Sequence, residues 1–114
     1  MNVDMNARQH CIVIKELLNP RLELTSFVFK FGANVYAFSY SKNGITKHVL
    51  IDAGDQRYRN EMFPLLAANG IDPKNIERIF LTHCHPDYIG LASMLAEESG
   101  AVITVHASFK RFFN

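Results

Sequence analysis

Residues 81–90 read Leu81-Thr82-His83-Cys84-His85-Pro86-Asp87-Tyr88-Ile89-Gly90, and His83, His85 and Asp87 set two imidazoles and a carboxylate at alternate positions. Pro86 disfavours the α region for the residue before it, so the spacing predicts an extended chain at His85. In an extended segment alternate side chains project to one side, which would gather residues 83, 85 and 87. On a helix the two histidines would diverge by about 200°. Neutral imidazole nitrogen and carboxylate oxygen are ligand types for zinc and for iron or manganese, so the run reads as a metal site. Cys84 would face the other way, as a small buried residue and not a ligand. Each member also has a structural reading. Asp87 fits the N-cap of a helix beginning at Tyr88, and His83 and His85 fit loop histidines bonded to backbone.

The flanking segments supply a scaffold for that run. Ile76 to Leu81 reads as a short buried strand delivering Thr82 and His83 at its C-terminal end. Tyr88 to Ser99 reads as an amphipathic helix stopped by Gly100, Ala101 to Val105 as a strand, and Ala107 to Asn114 as the start of a helix. Upstream, residues 11–14 and 22–31 are rich in β-branched and aromatic side chains and are separated by Asn19-Pro20. Val35 to Ser39 and Lys47 to Ile51 flank Ser41-Lys42-Asn43-Gly44, and Asn-Gly predicts an antiparallel hairpin. Tyr58, Met62, Leu65 and Leu66 predict a helix over 58–69 with Gly70 as its C′ residue, and Pro64 inside it predicts a kink or a late start. Antiparallel strands followed by alternating strand and helix imply an α+β fold, a mixed sheet with helices packed on one face.

Composition narrows the function classes. Of 114 residues, 48% are hydrophobic and 20% charged, as in an ordinary globular domain, and the length accommodates one domain, 1–114. Twelve Lys and Arg against eleven Asp and Glu leave a net charge of +1, which offers no field for nucleic acid or an anionic membrane. Cys11 and Cys84 are the two cysteines, without CxxC spacing or a disulfide framework, and imply a reducing compartment. The polar first ten residues lack a signal-peptide core, and no apolar run approaches the roughly twenty residues needed to span a bilayer. The expectation is a soluble, cytoplasmic protein.

Three blocks then match a known family in order. Asn34-Val35-Tyr36 with its hairpin, Val49-Leu50-Ile51-Asp52-Ala53-Gly54, and Thr82 to Gly90 together resemble the first part of a metallo-β-lactamase-fold protein, whose signature is written HxHxDH followed by glycine. The resemblance covers roughly residues 22 to 114. It implies the first half of a four-layer αββα sandwich and a metal-dependent hydrolase acting on an ester, amide, thioester or phosphodiester of a small molecule. It further implies that His83 and His85 bind a first metal ion. Asp87 would bind a second and orient the attacking water, and Asp52 would anchor the metal histidines from behind. Without that context Asp52 reads equally as a turn residue beside Gly54. The cofactor implied is zinc, one or two divalent ions, with iron or manganese as alternatives.

The chain also departs from the pattern. Tyr88 stands where the signature has its last histidine, and a neutral phenol is a poor zinc ligand. It reads as the first residue of its helix or as a substrate contact. Leu91 stands where a second glycine often follows Gly90. The family's later histidine and aspartate ligands have no counterpart in the 114 residues. His106 resembles a non-ligand position, while His10 and His48 read as surface or turn residues. One half of the fold alone would leave an apolar sheet face uncovered. The expectation is therefore a fragment, a truncated product, or half of an assembly such as a homodimer, inactive by itself. The alternatives are a degenerate, non-catalytic binding or regulatory module and a flavodiiron-like redox domain.

Overall fold

The computed structural model describes residues 11–30, 34–82 and 86–105, with the side chains of 86–88 outside that description. Six strands form one sheet in the order β1-β2-β3-β4-β5-β6. β1 (Cys11–Asn19), β2 (Leu22–Phe29), β3 (Val35–Lys42) and β4 (Ile45–Ile51) run antiparallel in succession, whereas β5 (Ile76–Phe80) and β6 (Val102–Thr104) join in parallel. The helix α1 (Arg59–Ala68) links β4 to β5 and α2 (Pro86–Ser99) links β5 to β6. Each parallel pair thus has its crossover helix.

The turns are built as the residues dictate. Asn43 and Gly44 take φ of 55° and 79°, the double left-handed geometry of a two-residue hairpin whose twist matches the flanking strands. Asn19 Oδ1 accepts from Arg21 N at 2.7 Å and closes the β1–β2 turn. At the end of α1, Gly70 N donates to Ala67 O at 3.2 Å and Ile71 N to Leu66 O at 2.9 Å. Gly70 takes φ of 80°, completing a Schellman motif in which buried Ile71 and Leu66 supply the apolar contact.

Several boundaries differ from the sequence reading. β1 runs to Asn19 because each residue through Leu17 finds a partner on β2. α1 begins at Arg59, ahead of Pro64, and passes through it. Its start is set by the preceding 3-10 turn, Gln56–Tyr58, which Asp55 caps by accepting from Arg57 N at 2.9 Å. α2 begins at Pro86, two residues before the predicted Tyr88. Proline is preorganised for the first helical position and has no N–H to leave unsatisfied there. Asp87 is therefore inside the helix, neither its N-cap nor part of an extended run, and the predicted alternation does not reach it. The helix predicted from Ala107, with His106 and His10, lies outside the described residues.

Strand alternation sorts the sheet into two unlike faces. Phe27, Val35, Ala37, Leu50 and Ile79 point toward the helices and pack with Met62, Leu66, Leu91 and Leu95 in a core with almost no solvent exposure. On the opposite face Ile12, Ile14, Ile45, Phe80 and Val102 are exposed, and Leu24, Val28, Tyr36, Phe38, Val49 and Ile51 are half-buried. There Tyr40 donates to Glu77, which also accepts from Lys42 Nζ at 3.1 Å. Neither α1 nor α2 covers this face, as the uncovered-face expectation requires.

His48 is a correction. Read as a surface or turn residue, it is 2% exposed, because alternation along β4 sends it to the helix side with Leu50. Its cross-strand partner Ser39 supplies a side-chain hydrogen bond of 2.7 Å to Nδ1. Burial pushes the imidazole below its ordinary pKa, with Asp72 opposing, Lys15 assisting and Glu23 opposing. The unfolded chain therefore binds the proton more readily, and His48 is neutral in both states above its unfolded value of about 6.5. Stability is expected to fall as pH drops from about 6.5 toward the lower folded value, with a slope from this group of at most about 1.4 kcal/mol per pH unit. Urea denaturation across that range should show His48→Gln with a flatter profile. An unchanged profile would contradict the assignment.

Candidate metal centre

The chemistry-bearing run follows β5 in sequence, and the joint between the ends of β4 and β5 is built around Asp52. Its N–H donates to Phe80 O at 2.7 Å, extending the parallel ladder by one bond past β4. Its φ is 64°, a left-handed conformation that Asp tolerates better than most non-glycine residues. That bend turns the side chain, only 5% exposed, back across the strand ends. Oδ1 accepts from Thr82 N at 2.9 Å and Oδ2 from Thr82 Oγ1 at 2.5 Å. A carboxylate thus grips both donors of the residue immediately before His83. Leu81 N in turn donates to Thr104 O at 3.0 Å, tying the end of β5 to β6.

The loop after Asp52 packs tightly against both helices. Gly54 has φ of 95°, and a Cβ built there would lie 2.7 Å from Met62 Cε and 3.4 Å from Leu91 Cδ2, so only glycine fits both the backbone and the space. Two residues on, Gln56 reaches α2. A Cβ on Gly90 would meet Gln56 Oε1 at 2.9 Å, which gives the glycine at that position a steric reason. Gln56 Oε1 is itself buried and has no hydrogen-bond partner among the described residues. Tyr58 is buried, its ring tilted by 32° against that of Phe29 with centroids 4.7 Å apart.

Of the residues picked out by sequence, Asp52 is placed at this joint. Asp87 and Tyr88 lie in the first turn of α2, their side chains outside the described set, and His83, Cys84 and His85 lie outside the described residues. Among the described residues no three His, Cys, Asp or Glu side chains form a group able to hold a metal. Thr82 and Gln56 were not read from sequence as participants. The first occupies an ordinary strand-end position, and the second makes its contact across a separation in sequence that no local pattern encodes. No described helix is long and apolar enough to cross a membrane.

Two imidazoles and a carboxylate within five residues of sequence are ligand types that suit a divalent ion, and Thr82, the residue before them, is held by Asp52.

Comparison with known proteins follows this geometry. The family model for the metallo-beta-lactamase superfamily matches residues 30–114. Among solved structures, a B3 metallo-beta-lactamase described as the first with an active-site glutamic acid is 21% identical, with a TM-score of 0.64, covering 98% of this chain and 40% of that one. A HARLDQ-motif mutant of the metallo-beta-lactamase from Cronobacter sakazakii is 25% identical, with a TM-score of 0.56, covering 88% and 37%. A subclass B3 enzyme of Bradyrhizobium japonicum is 21% identical, with a TM-score of 0.56, covering 70% and 28%. The chain thus spans well under half the length of these structures. No curated protein matches it.

The Asp52 joint carries a stability prediction. Asp52→Ala removes the acceptor of two hydrogen bonds and puts alanine at positive φ, and is expected to cost about 3 kcal/mol or more. Asp52→Asn retains an acceptor for Thr82 N and should cost distinctly less. Urea unfolding of the two variants checks the order, and equal losses would contradict the double grip.

Proposed function

The chain belongs to the metallo-beta-lactamase superfamily, and on that premise we propose that it is the metal-binding N-terminal half of a metal-dependent hydrolase. Members of the family bind divalent metals, usually zinc. The observation that carries the reading is the Asp52–Thr82 contact, which fixes the residue immediately before His83 at the ends of two adjacent parallel strands. His83 and His85 would hold the first ion and Asp87 would lie toward a second. A bound divalent ion would lower the pKa of water to about 7 and polarise the group under attack.

The chain's own residues set the conditions for that chemistry. Asp52 fixes the start of the histidine run, and Pro86 starts α2 early enough to place Asp87 in its first turn, where the helix dipole favours a carboxylate. Asp87 orients the attacking water and Tyr88 contacts substrate, a small molecule bearing an ester, amide, thioester or phosphodiester. The exposed face with Ile12, Ile14, Ile45, Phe80 and Val102 is where the second half of the sandwich packs, supplied by further chain or by a second copy, together with the remaining ligands. The protein works in the cytoplasm.

Zinc content after chelation and reloading, followed by assays with a β-lactam, a thioester and a phosphodiester reporter, tests the proposal. The 114 residues are expected to bind one zinc ion and to lose it with His83→Ala or His85→Ala. They are expected to turn over no reporter until the second half is present. Absence of zinc binding would overturn the metal site. Turnover by the 114 residues alone, abolished by His83→Ala, would overturn their dependence on the second half.

A further inference from the structure

β1 is an edge of the sheet, and among the described residues no strand lies beside it on the side away from β2. Such an edge presents a row of unpaired backbone N–H and C=O groups, a template for a further strand. The side chains around it are apolar on both faces. Of the seven large hydrophobic residues exposed among the described ones, four belong to β1: Ile12 at 66%, Ile14 at 45%, Leu17 at 72% and Leu18 at 47%. Ile12 and Ile14 lie on the open face, which the second half of a sandwich would cover. Leu17 lies on the other face, because it pairs with Glu23 and, through it, with Ser39 and His48 on the helix side. Packing on the open face leaves Leu17 in water, so the apolar pattern of β1 points sideways, to an element that meets both faces at once.

The devices that ordinarily guard an edge are missing. β1 contains no proline, and its one cation is turned inward: Lys15 Nζ donates to Thr25 Oγ1 at 3.2 Å and to Asn69 O at 2.6 Å, and lies 3.7 Å from Glu23. Edge lysines protect a strand when they project into water, where a second strand would have to desolvate them. The bulge is confined to the far end, between Leu17 and Asn19, and leaves Cys11 to Leu17 in regular register with β2.

We propose that β1 pairs antiparallel with β1 of a second copy about a two-fold axis through Ile14, joining two six-stranded sheets edge to edge. The occupant and the register follow from the charges on the strand. A two-fold between antiparallel strands sets one residue opposite itself, and Lys15 or Glu16 at the axis would put like charges face to face, which is destabilising. An axis at Leu17 would run the pairing through the bulge, and one at Val13 would leave Leu17 without a partner. With Ile14 on the axis every regular residue pairs. Ile14 meets its own copy, Val13 meets Lys15, Ile12 meets Glu16, and Leu17 meets Cys11 of the second chain. The main-chain bonds extend the ladder, and the exposed aliphatic side chains of both faces gain neighbours. The axis stands perpendicular to the sheet, so the open face stays free for the second half of the sandwich. Nothing in the pairing depends on the metal site.

Light scattering of the 114-residue chain at rising protein concentration, on wild type, Ile14→Lys and Val102→Lys, tests the proposal. Wild type is expected to reach twice its 13.0 kDa. Ile14→Lys should remain at 13.0 kDa with unchanged circular dichroism, whereas Val102→Lys, on the open face at the opposite edge, should dimerise as wild type does. Disulfide trapping in a Cys84→Ser background reads the register. Ile14→Cys is expected to crosslink at least about tenfold faster than Glu16→Cys, because only a self-opposed position brings two Cα atoms within the roughly 7 Å a disulfide needs. A wild-type chain that stays monomeric at every concentration would overturn the proposal. So would a dimer that Val102→Lys disrupts as fully as Ile14→Lys does, which would place the contact on the open face. Equal crosslinking of the two cysteine variants would overturn the register through Ile14.

Discussion

The carboxylate of Asp52 accepts both the N–H and the hydroxyl of Thr82, and that double contact fixes where the chain leaves β5. Parallel strands are joined by evenly spaced, slanted bonds that do little to fix what happens beyond their ends. A buried carboxylate reaching from one strand end to the next residue of its neighbour does so directly. Charge-assisted hydrogen bonds are about twice as strong as neutral ones, and here two converge on one residue. The left-handed φ at Asp52 is the conformational strain accepted to aim it. The chain then has to turn again at Gly54, where Met62 and Leu91 leave no room for a side chain, so the site and the helix layer are packed as one unit.

The two faces of the sheet are unlike. On the helix side the core is closed, with Lys15 Nζ reaching over to Thr25 Oγ1 at 3.2 Å and to Asn69 O at 2.6 Å at the end of α1. Cys11, at the margin of that core, has its thiol pushed up to about 11 by burial, which keeps it protonated and unreactive at neutral pH. The other face carries a contiguous band of aliphatic and aromatic residues in which Tyr40, Lys42 and Glu77 satisfy one another. Large exposed apolar patches mark interaction surfaces in soluble proteins.

Much of this was legible in the sequence because it is local. Asn43-Gly44 specifies a hairpin through backbone geometry alone, Gly70 ends a helix by the same means, and strand alternation sorts Leu50 from Val49. His48 was misread because polarity was weighed over its register opposite Ser39, a contact between strands. Pro86 was read through its restriction on His85, and its aptitude for the first helical position decided where α2 begins. Thr82 and Gln56 were illegible for a different reason. Their roles arise where distant segments meet, and neither residue type announces them. The family resemblance named the histidines and Asp87, whereas the physical roles of Thr82 and Gly90 emerged from packing.

The account centres on a divalent ion held at the C-terminal ends of β4 and β5 by His83 and His85. A crystal of the protein grown with zinc, with anomalous data collected at the zinc absorption edge, tests it most directly. The account predicts a single strong anomalous peak about 2.0–2.1 Å from an imidazole nitrogen of each histidine. A zinc-loaded crystal with no peak there, or with zinc held by other side chains, would contradict it.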